Sequence, residues 1–173
     1  MPIRTFGDPV LRSPAQPVTT FDDALRKLAS DMDDTMRDAP GVGLAAPQVG
    51  VPRRLFVFDD GETRGALANP EITWRSDETQ EGEEGCLSIP GVFFPVVRAE
   101  RVRVSAQDLN GAPVEMEGDG LLARIFQHEI DHVDGILFLD RLAPDHRKEA
   151  MRLLREQDLG AAPPAAPPKA RAL

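Results

Sequence analysis

Apolar positions fall into a few well-separated patterns along the chain. Leu25, Leu28, Met32 and Met36 recur at helical spacing among polar residues and predict an amphipathic helix from about Thr20 to Arg37. Thr20 is its expected cap, Asp22 and Asp23 suit its positive end, and Pro40, Gly41 and Gly43 stop it. Before it, Pro9, Pro14 and Pro17 predict an extended or looped segment over residues 8–17. Residues 54–59, Arg-Leu-Phe-Val-Phe-Asp, read as a buried strand, and residues 66–74 as a second strand interrupted at Asn69-Pro70. Residues Arg101–Val104 alternate, Asn110-Gly111 makes a turn, and Pro113–Glu117 returns, which together predict a hairpin. From about Asp119 to Asp134, with Gly135 as its stop, a helix carries Leu121, Leu122, Ile125, Phe126, Ile130 and Val133 around most of its circumference. A helix apolar on most sides belongs inside a domain. A further helix is expected over Asp145–Gln157. The fold class is therefore α+β, with antiparallel sheets packed around a central helix, an N-terminal helix and a C-terminal helix.

Composition narrows the setting. With 173 residues, the chain fits one domain over residues 1–158, followed by an Ala/Pro-rich stretch, 159–173, that cannot build a core and is expected to be disordered. No apolar run approaches a membrane span, and Met1-Pro2-Ile3-Arg4 lacks a signal-peptide pattern, so a cytoplasmic location is expected. A net charge of −9 argues against a general nucleic-acid binder. Residues 144–173 nonetheless carry six basic and four acidic side chains, a weakly positive segment that either forms a solvated mixed-charge helix or touches something anionic. Cys86 is the only cysteine, which excludes an internal disulfide.

The central helix carries the candidate chemistry. Residues 128–132, His-Glu-Ile-Asp-His, match H-E-x-x-H and use two of the three histidines. One turn apart, His128 and His132 can both face one metal ion, and Glu129 beside them can take a proton from an attacking water. Leu121, Ile125, His128 and His132 follow i, i+4, i+7, i+11 and share one stripe, which would set an apolar surface beside the metal. A catalytic site needs a third protein ligand. The metzincin spacing places it at 138, which is Phe138, and so fails. Glu149 and Glu156 lie among Arg147, Lys148, Arg152 and Arg155, where surface ion pairs are expected, and His146 reads as exposed. Upstream, Cys86 in Glu84-Gly85-Cys86-Leu87-Ser88 would complete a Cys-His-His set, unless it is a plain buried cysteine.

Residues 41–50, Gly-Val-Gly-Leu-Ala-Ala-Pro-Gln-Val-Gly, allow close backbone approach to a ligand but lack the ending of a phosphate loop. Taken in order, Gly41-Val42-Gly43-Leu44-Ala45-Ala46-Pro47-Gln48, Glu84-Gly85-Cys86-Leu87-Ser88 and Gln127-His128-Glu129-Ile130-Asp131-His132 resemble the three signature motifs of the peptide deformylase family. The resemblance covers roughly residues 3–155 and leaves the Ala/Pro-rich tail outside. It implies a metal-dependent hydrolase that removes the N-formyl group from the starting methionine of nascent chains and releases formate. It implies Cys86, His128 and His132 as ligands of one divalent ion, Glu129 as general base, and Gln48 with the Leu87 N–H as donors to the oxyanion. The backbone around Gly43 and Gly85 would bind the peptide as an extended strand, and Val42, Leu121 and Ile125 would line the methionine pocket. An ion pair between Glu84 and Arg98 is expected at the pocket rim. Ferrous iron is the metal the resemblance implies, with zinc, nickel or cobalt also able to fill the site. The expected partners are N-formyl-methionyl nascent peptides, with a weak ribosome contact through the basic C-terminal segment, no membrane, and a monomeric enzyme. Two other readings set against this one are a zincin-type peptidase and a non-catalytic, metal-stabilised domain.

Overall fold

A computed structural model of the chain describes residues 1–160 together with Ala172 and Leu173. Three helices, α1 (Asp23–Asp38), α2 (Gly120–Val133) and α3 (Pro144–Asp158), combine with seven strands: β1 (Gly43–Ala45), β2 (Leu55–Asp59), β3 (Arg64–Arg75), β4 (Thr79–Cys86), β5 (Ile89–Ala99), β6 (Arg101–Gln107) and β7 (Pro113–Asp119). An antiparallel five-stranded sheet runs in the order β1-β2-β3-β6-β7, and β4-β5 form a separate antiparallel pair. Helix α2 touches β1, β2, β3, β5, β6 and β7, so the sheets pack around the H-E-x-x-H helix as its apolar circumference predicts.

The unbroken apolar run of β2 follows from burial on both faces. Phe56 and Phe58 turn toward α2, where Phe58 meets Phe126 edge-on at 5.1 Å between ring centres. Leu55 and Val57 turn the other way, onto Leu25, Ala29, Met32 and Met36 of α1. Burying side chains of this size contributes about 1.5–3 kcal/mol each, enough to hold α1 on the sheet's outer face. A third apolar cluster joins Ile89, Val92 and Val96 of β5 to Ala150 and Leu154 of α3.

Several expectations shift by a few residues, and some change in kind. The cap of α1 is Asp22, whose Oδ1 accepts from Leu25 N at 3.0 Å; a carboxylate at a helix N-terminus outdoes the Thr20 hydroxyl through its charge. Residues 8–17 are looped, one of the two expected forms, with a single 3₁₀ turn at Pro9–Arg12. Asn69-Pro70 does not interrupt β3 but makes a bulge within it, with Asn69 at φ +50°. The hairpin link spans residues 108–112, because pairing already begins at Gln107–Pro113, and Gly111 takes φ +85°. Strands β4 and β5 have no counterpart in the apolar pattern. β4 is mostly Gln, Glu and Gly, and β5 contains Pro90 and Pro95, which depress strand propensity. His146 is half-buried rather than exposed, its ring 5.4 Å from that of Phe94. Gly135 does end the central helix: it sits at φ +77°, and a Cβ there would stand 2.8 Å from the Arg12 carbonyl oxygen. The expected disordered tail falls mainly on residues 161–171, which lie outside the described residues; its last two, Ala172 and Leu173, are hydrogen-bonded to the domain.

Candidate metal centre

Helical spacing puts His128 and His132 on one face of α2, and the end of β4 brings Cys86 up to them. Cys86 Sγ lies 3.2 Å from His132 Nε2, which lies 3.2 Å from His128 Nε2, and all three ligand atoms fall within 4.8 Å of one another. Ligand atoms around a tetrahedral ion with bonds of 2.0–2.3 Å stand about 3.3–3.8 Å apart, so the triplet fits one ion with little movement. One thiolate and two imidazoles suit zinc, iron, nickel or cobalt and not magnesium or calcium. Burial pushes the Cys86 thiol up to about 12, with the Glu129 charge adding to the effect and hydrogen bonds from Ser88 opposing it. Burial also drives His132 well below its ordinary value, with the nearby Arg98 charge acting in the same direction, which keeps its imidazole neutral and able to ligate. A cation is the partner that stabilises a thiolate in such a place.

Below the triplet lies a fully buried carboxylate. Glu84 Oε1 accepts from Arg98 Nε at 2.9 Å and Arg124 Nη1 at 2.7 Å, and Oε2 accepts from Arg98 Nη2 at 3.0 Å. His128 Nδ1 lies 3.1 Å from Oε2; a carboxylate can only accept, so Nδ1 donates and Nε2 keeps its lone pair for the metal. Burial opposes the charge on Glu84, but His128 and Arg98 outweigh it and hold the carboxyl well below the usual range. Arg98 also donates to Asp131 Oδ2 at 2.7 Å, and Arg141 Nη2 to Asp131 Oδ1 at 2.6 Å. The Glu84–Arg98 pair expected at the pocket rim is thus real but lies inside the core, its side chains 0% and 5% exposed. The rim expectation fails because the pair's partners, Arg124 and His128, come from the buried central helix.

Glu129 is fully buried, and among the described residues neither of its oxygens has a hydrogen-bond partner. Burial, reinforced by the Glu84 charge, raises its pKa well above the ordinary value. An unpaired carboxylate in this setting is a base waiting for a donor. It lies against Gly43 of β1, where an added Cβ would stand 2.8 Å from the Glu129 Cδ, so only glycine leaves room for it. Gln48 Oε1 accepts from Ala45 N at 2.7 Å, which turns Nε2 toward Cys86 Sγ at 3.5 Å and Ser88 Oγ at 3.2 Å. Of the remaining expected residues, Val42, Gly85 and Ile125 are buried, Val42 and Ile125 within one apolar cluster, and Leu87 next to Cys86 in the chain is half-buried. Leu121 is 48% exposed and stands apart from the cluster that unites Val42 and Ile125. Glu149 and Glu156 pair with Arg152 on the surface, as expected.

Arg124 and Asp131 escaped the sequence reading. A charged residue in the apolar run Leu121–Phe126 was the available signal for Arg124. Gln127 also plays a structural part, since its side chain bonds both the N–H (3.1 Å) and the C=O (3.0 Å) of Ala99 and so ties α2 to β5.

Comparison with known proteins agrees with this geometry. Residues 1–148 match the family model described as polypeptide deformylase. The chain is 56% identical over 157 residues to the peptide deformylase of Acidothermus cellulolyticus, an alignment that covers 91% of this chain and 87% of that protein. Its structure is similar to that of peptide deformylase from Thermus thermophilus, with a TM-score of 0.86 and 49% identity over 91% of this chain and 95% of that one. Peptide deformylase from Legionella pneumophila gives a TM-score of 0.84 and 50% identity over 91% and 95%. Because the matched residues include the whole Cys-His-His cluster and the walls around it, the chain belongs to the peptide deformylase family, the metal-dependent hydrolases that remove the formyl group from the N-terminal methionine of nascent polypeptides.

Proposed function

We propose that Cys86, His128 and His132 hold one divalent ion and that Glu129, Gln48 and the Leu87 N–H carry out deformylation around it. The observation that carries this reading is the unpaired, buried Glu129 carboxylate beside three ligand atoms within 4.8 Å of one another. When bound, the ion supplies Lewis acidity that lowers the pKa of water by several units. Glu129 accepts the proton as water attacks the formyl carbon, and returns it to the methionine nitrogen as the C–N bond breaks. Gln48 Nε2 and the Leu87 N–H donate to the oxygen as it gains negative charge. Formate and a free α-amine leave. Val42 and Ile125 receive the methionine side chain, with Leu121 at the open edge, and the backbone at Gly43 and Gly85 pairs with the peptide. Ferrous iron is the assigned metal in the cell, and a thiolate ligand beside it makes the enzyme oxidation-sensitive.

The test is formate release from formyl-Met-Ala-Ser by protein prepared anaerobically, with metal analysis of the same sample. Formate at a rate proportional to bound iron is expected, with near-total loss in Glu129→Ala while the metal stays bound. Cleavage of internal peptide bonds without formate would overturn the reading in favour of a zincin-type peptidase.

We further infer a single catalytic domain over residues 1–158, acting as a cytoplasmic monomer where nascent chains emerge. A ribosome contact through α3 rests on Lys148 and Arg155, seven positions apart and exposed; Arg147 and Arg152 are occupied by Asp140, Glu149 and Glu156.

A further inference from the structure

The outer side of the Glu84 network faces a cavity of about 390 Å³, large enough for a small organic ligand. Three guanidinium groups line it: Arg75 at the end of β3, Arg98 of β5, and Arg141 at the end of a 3₁₀ turn (Phe138–Arg141). Asp131 is the one carboxylate among the described residues of its wall. Arg98 is buried, its side chain 5% exposed, and three of its five N–H groups are engaged, two by Glu84 and one by Asp131. A buried cation thus lines the cavity with two N–H groups that have no partner among the described residues. Arg141 uses Nε and Nη2 on Asp131 and leaves Nη1 without a partner among those residues. Arg75 is exposed and pairs with no carboxylate among them. The nearby anions are occupied. Asp131 serves both Arg98 and Arg141, and Glu84 is shared by Arg98, Arg124 and His128. Asp140, whose charge also reaches Arg141, pairs with Arg12 and Arg147. On its far side Arg75 borders a second cavity, where Asp134 is taken by Arg54 and Glu71 makes no ion pair among the described residues. Setting Glu84 against Arg124 leaves the first cavity's wall with three cations and one anion, an excess of two positive charges.

We propose that this cavity binds a small phosphate monoester, its oxyanion held by Arg75, Arg98 and Arg141. An ion cluster that only tied β5 to α2 would need no third guanidinium, and like charges gathered in a cavity repel unless an anion joins them. Planar guanidinium forks match the oxygens of a phosphate, and an excess of two positive charges suits a dianion better than a carboxylate. The five heavy atoms of a phosphate fill only part of the cavity. Thr79 adds a hydroxyl and Val97, 57% exposed, an apolar part of the wall, so there is room and surface for the esterified group. The site is distinct from the ligand triplet, because Arg98 stands between them, reaching Glu84 on one side and Asp131 on the other.

The experiment titrates the nickel-loaded full chain with inorganic phosphate, phenyl phosphate and acetate at constant ionic strength, read by calorimetry. A dissociation constant on the order of 1 mM is expected for inorganic phosphate, a several-fold lower one for phenyl phosphate, and one at least about 10-fold higher for acetate. Arg75→Ala removes no side-chain ion pair, so Tm without ligand should stay within about 2 °C of the parent while affinity for phenyl phosphate falls at least about 10-fold. Val97→Glu, which adds a carboxylate to the wall and breaks no hydrogen bond, should weaken binding by a similar factor. Metal content measured in both variants should equal that of the parent, which separates this cavity from phosphate binding at the ligand triplet. No saturable heat up to about 20 mM of either phosphate, or an affinity unchanged in both variants, overturns the site. Inorganic phosphate bound as tightly as phenyl phosphate overturns the ester in favour of the free ion, and acetate bound as tightly as phosphate overturns the dianion. The readout is binding alone, so it stands apart from whether formate is released.

Discussion

Replacing Glu84 tests whether the charge network beneath the metal centre holds both the fold and the ligand set. Every atom facing the Glu84 carboxylate is a donor: Arg98 Nε and Arg124 Nη1 at one oxygen, Arg98 Nη2 and His128 Nδ1 at the other. Glu84→Gln keeps the shape but turns an NH₂ toward two of these donors, so the amide cannot satisfy them in either orientation. Arg98 retains Asp131, and Arg124 retains the carbonyls of Gly82 and Val96, but two buried guanidinium groups lose their shared anion. Removing one partner of a buried ion pair costs about 3–5 kcal/mol. For a chain of this size that is a fall in Tm of roughly 6–20 °C. His128 also loses the acceptor that fixes its Nδ1–H, so metal affinity should drop about 10–100-fold. Thermal unfolding of metal-loaded and metal-stripped protein, followed by circular dichroism, measures the first effect; release of metal to a competing chelator measures the second. The stability loss should appear in both forms, because the guanidinium charges are buried with or without metal. A Glu84→Gln protein that melts within about 2 °C of the parent and holds metal equally well would refute the reasoning.

Gly43→Ala should lower kcat by at least about 100-fold with metal retained, since the added Cβ would stand 2.8 Å from the Glu129 Cδ and displace the base; steady-state formate release with metal analysis checks it. Gln48→Ala removes the oxyanion donor and should cost about 10²–10³ in kcat with a small change in KM. Asn69→Ala removes hydrogen bonds to Val18 N, Val18 O and Gln107 and forces a Cβ residue without that compensation into φ +50°, so a loss of roughly 2–4 kcal/mol is expected in a denaturant titration while the metal stays bound. Lys148→Glu with Arg155→Glu should reduce co-sedimentation with ribosomes at low salt without altering Tm; unchanged co-sedimentation would remove the proposed contact. This charge reversal is a cleaner perturbation than deleting residues 144–173, which would uncover the core residues packed on Ala150 and Leu154.

The central helix was legible because its information is local. Spacing within 128–132 decides that both imidazoles share a face, and the apolar circumference decides that the helix is internal. The β2 strand and the 101–117 hairpin were legible for the same reason. Cys86 is different: its neighbours in the chain fit a buried structural cysteine as well as a ligand, and the motif resemblance supplied the preference. β4 itself went unseen, because a strand of Gln, Glu and Gly is held by its pairing with β5 and by buried charges rather than by an apolar pattern. Arg124 reads as an intruder on an apolar helix until Glu84, forty residues away, is placed beneath it.

Short stretches of chain were enough to give the α+β class, the internal H-E-x-x-H helix and its two histidine ligands, because helical and strand periodicities and side-chain chemistry are properties of a few consecutive residues. Folding in three dimensions was needed to make Glu84 the buried hub of the ligand set, to leave Glu129 without a partner among the described residues against Gly43, and to set Ala172 and Leu173 against Val42, Gly85 and Leu87. Each of these depends on contacts between segments more than thirty residues apart, and the burial that makes a charge costly or a carboxylate basic exists only once those segments meet.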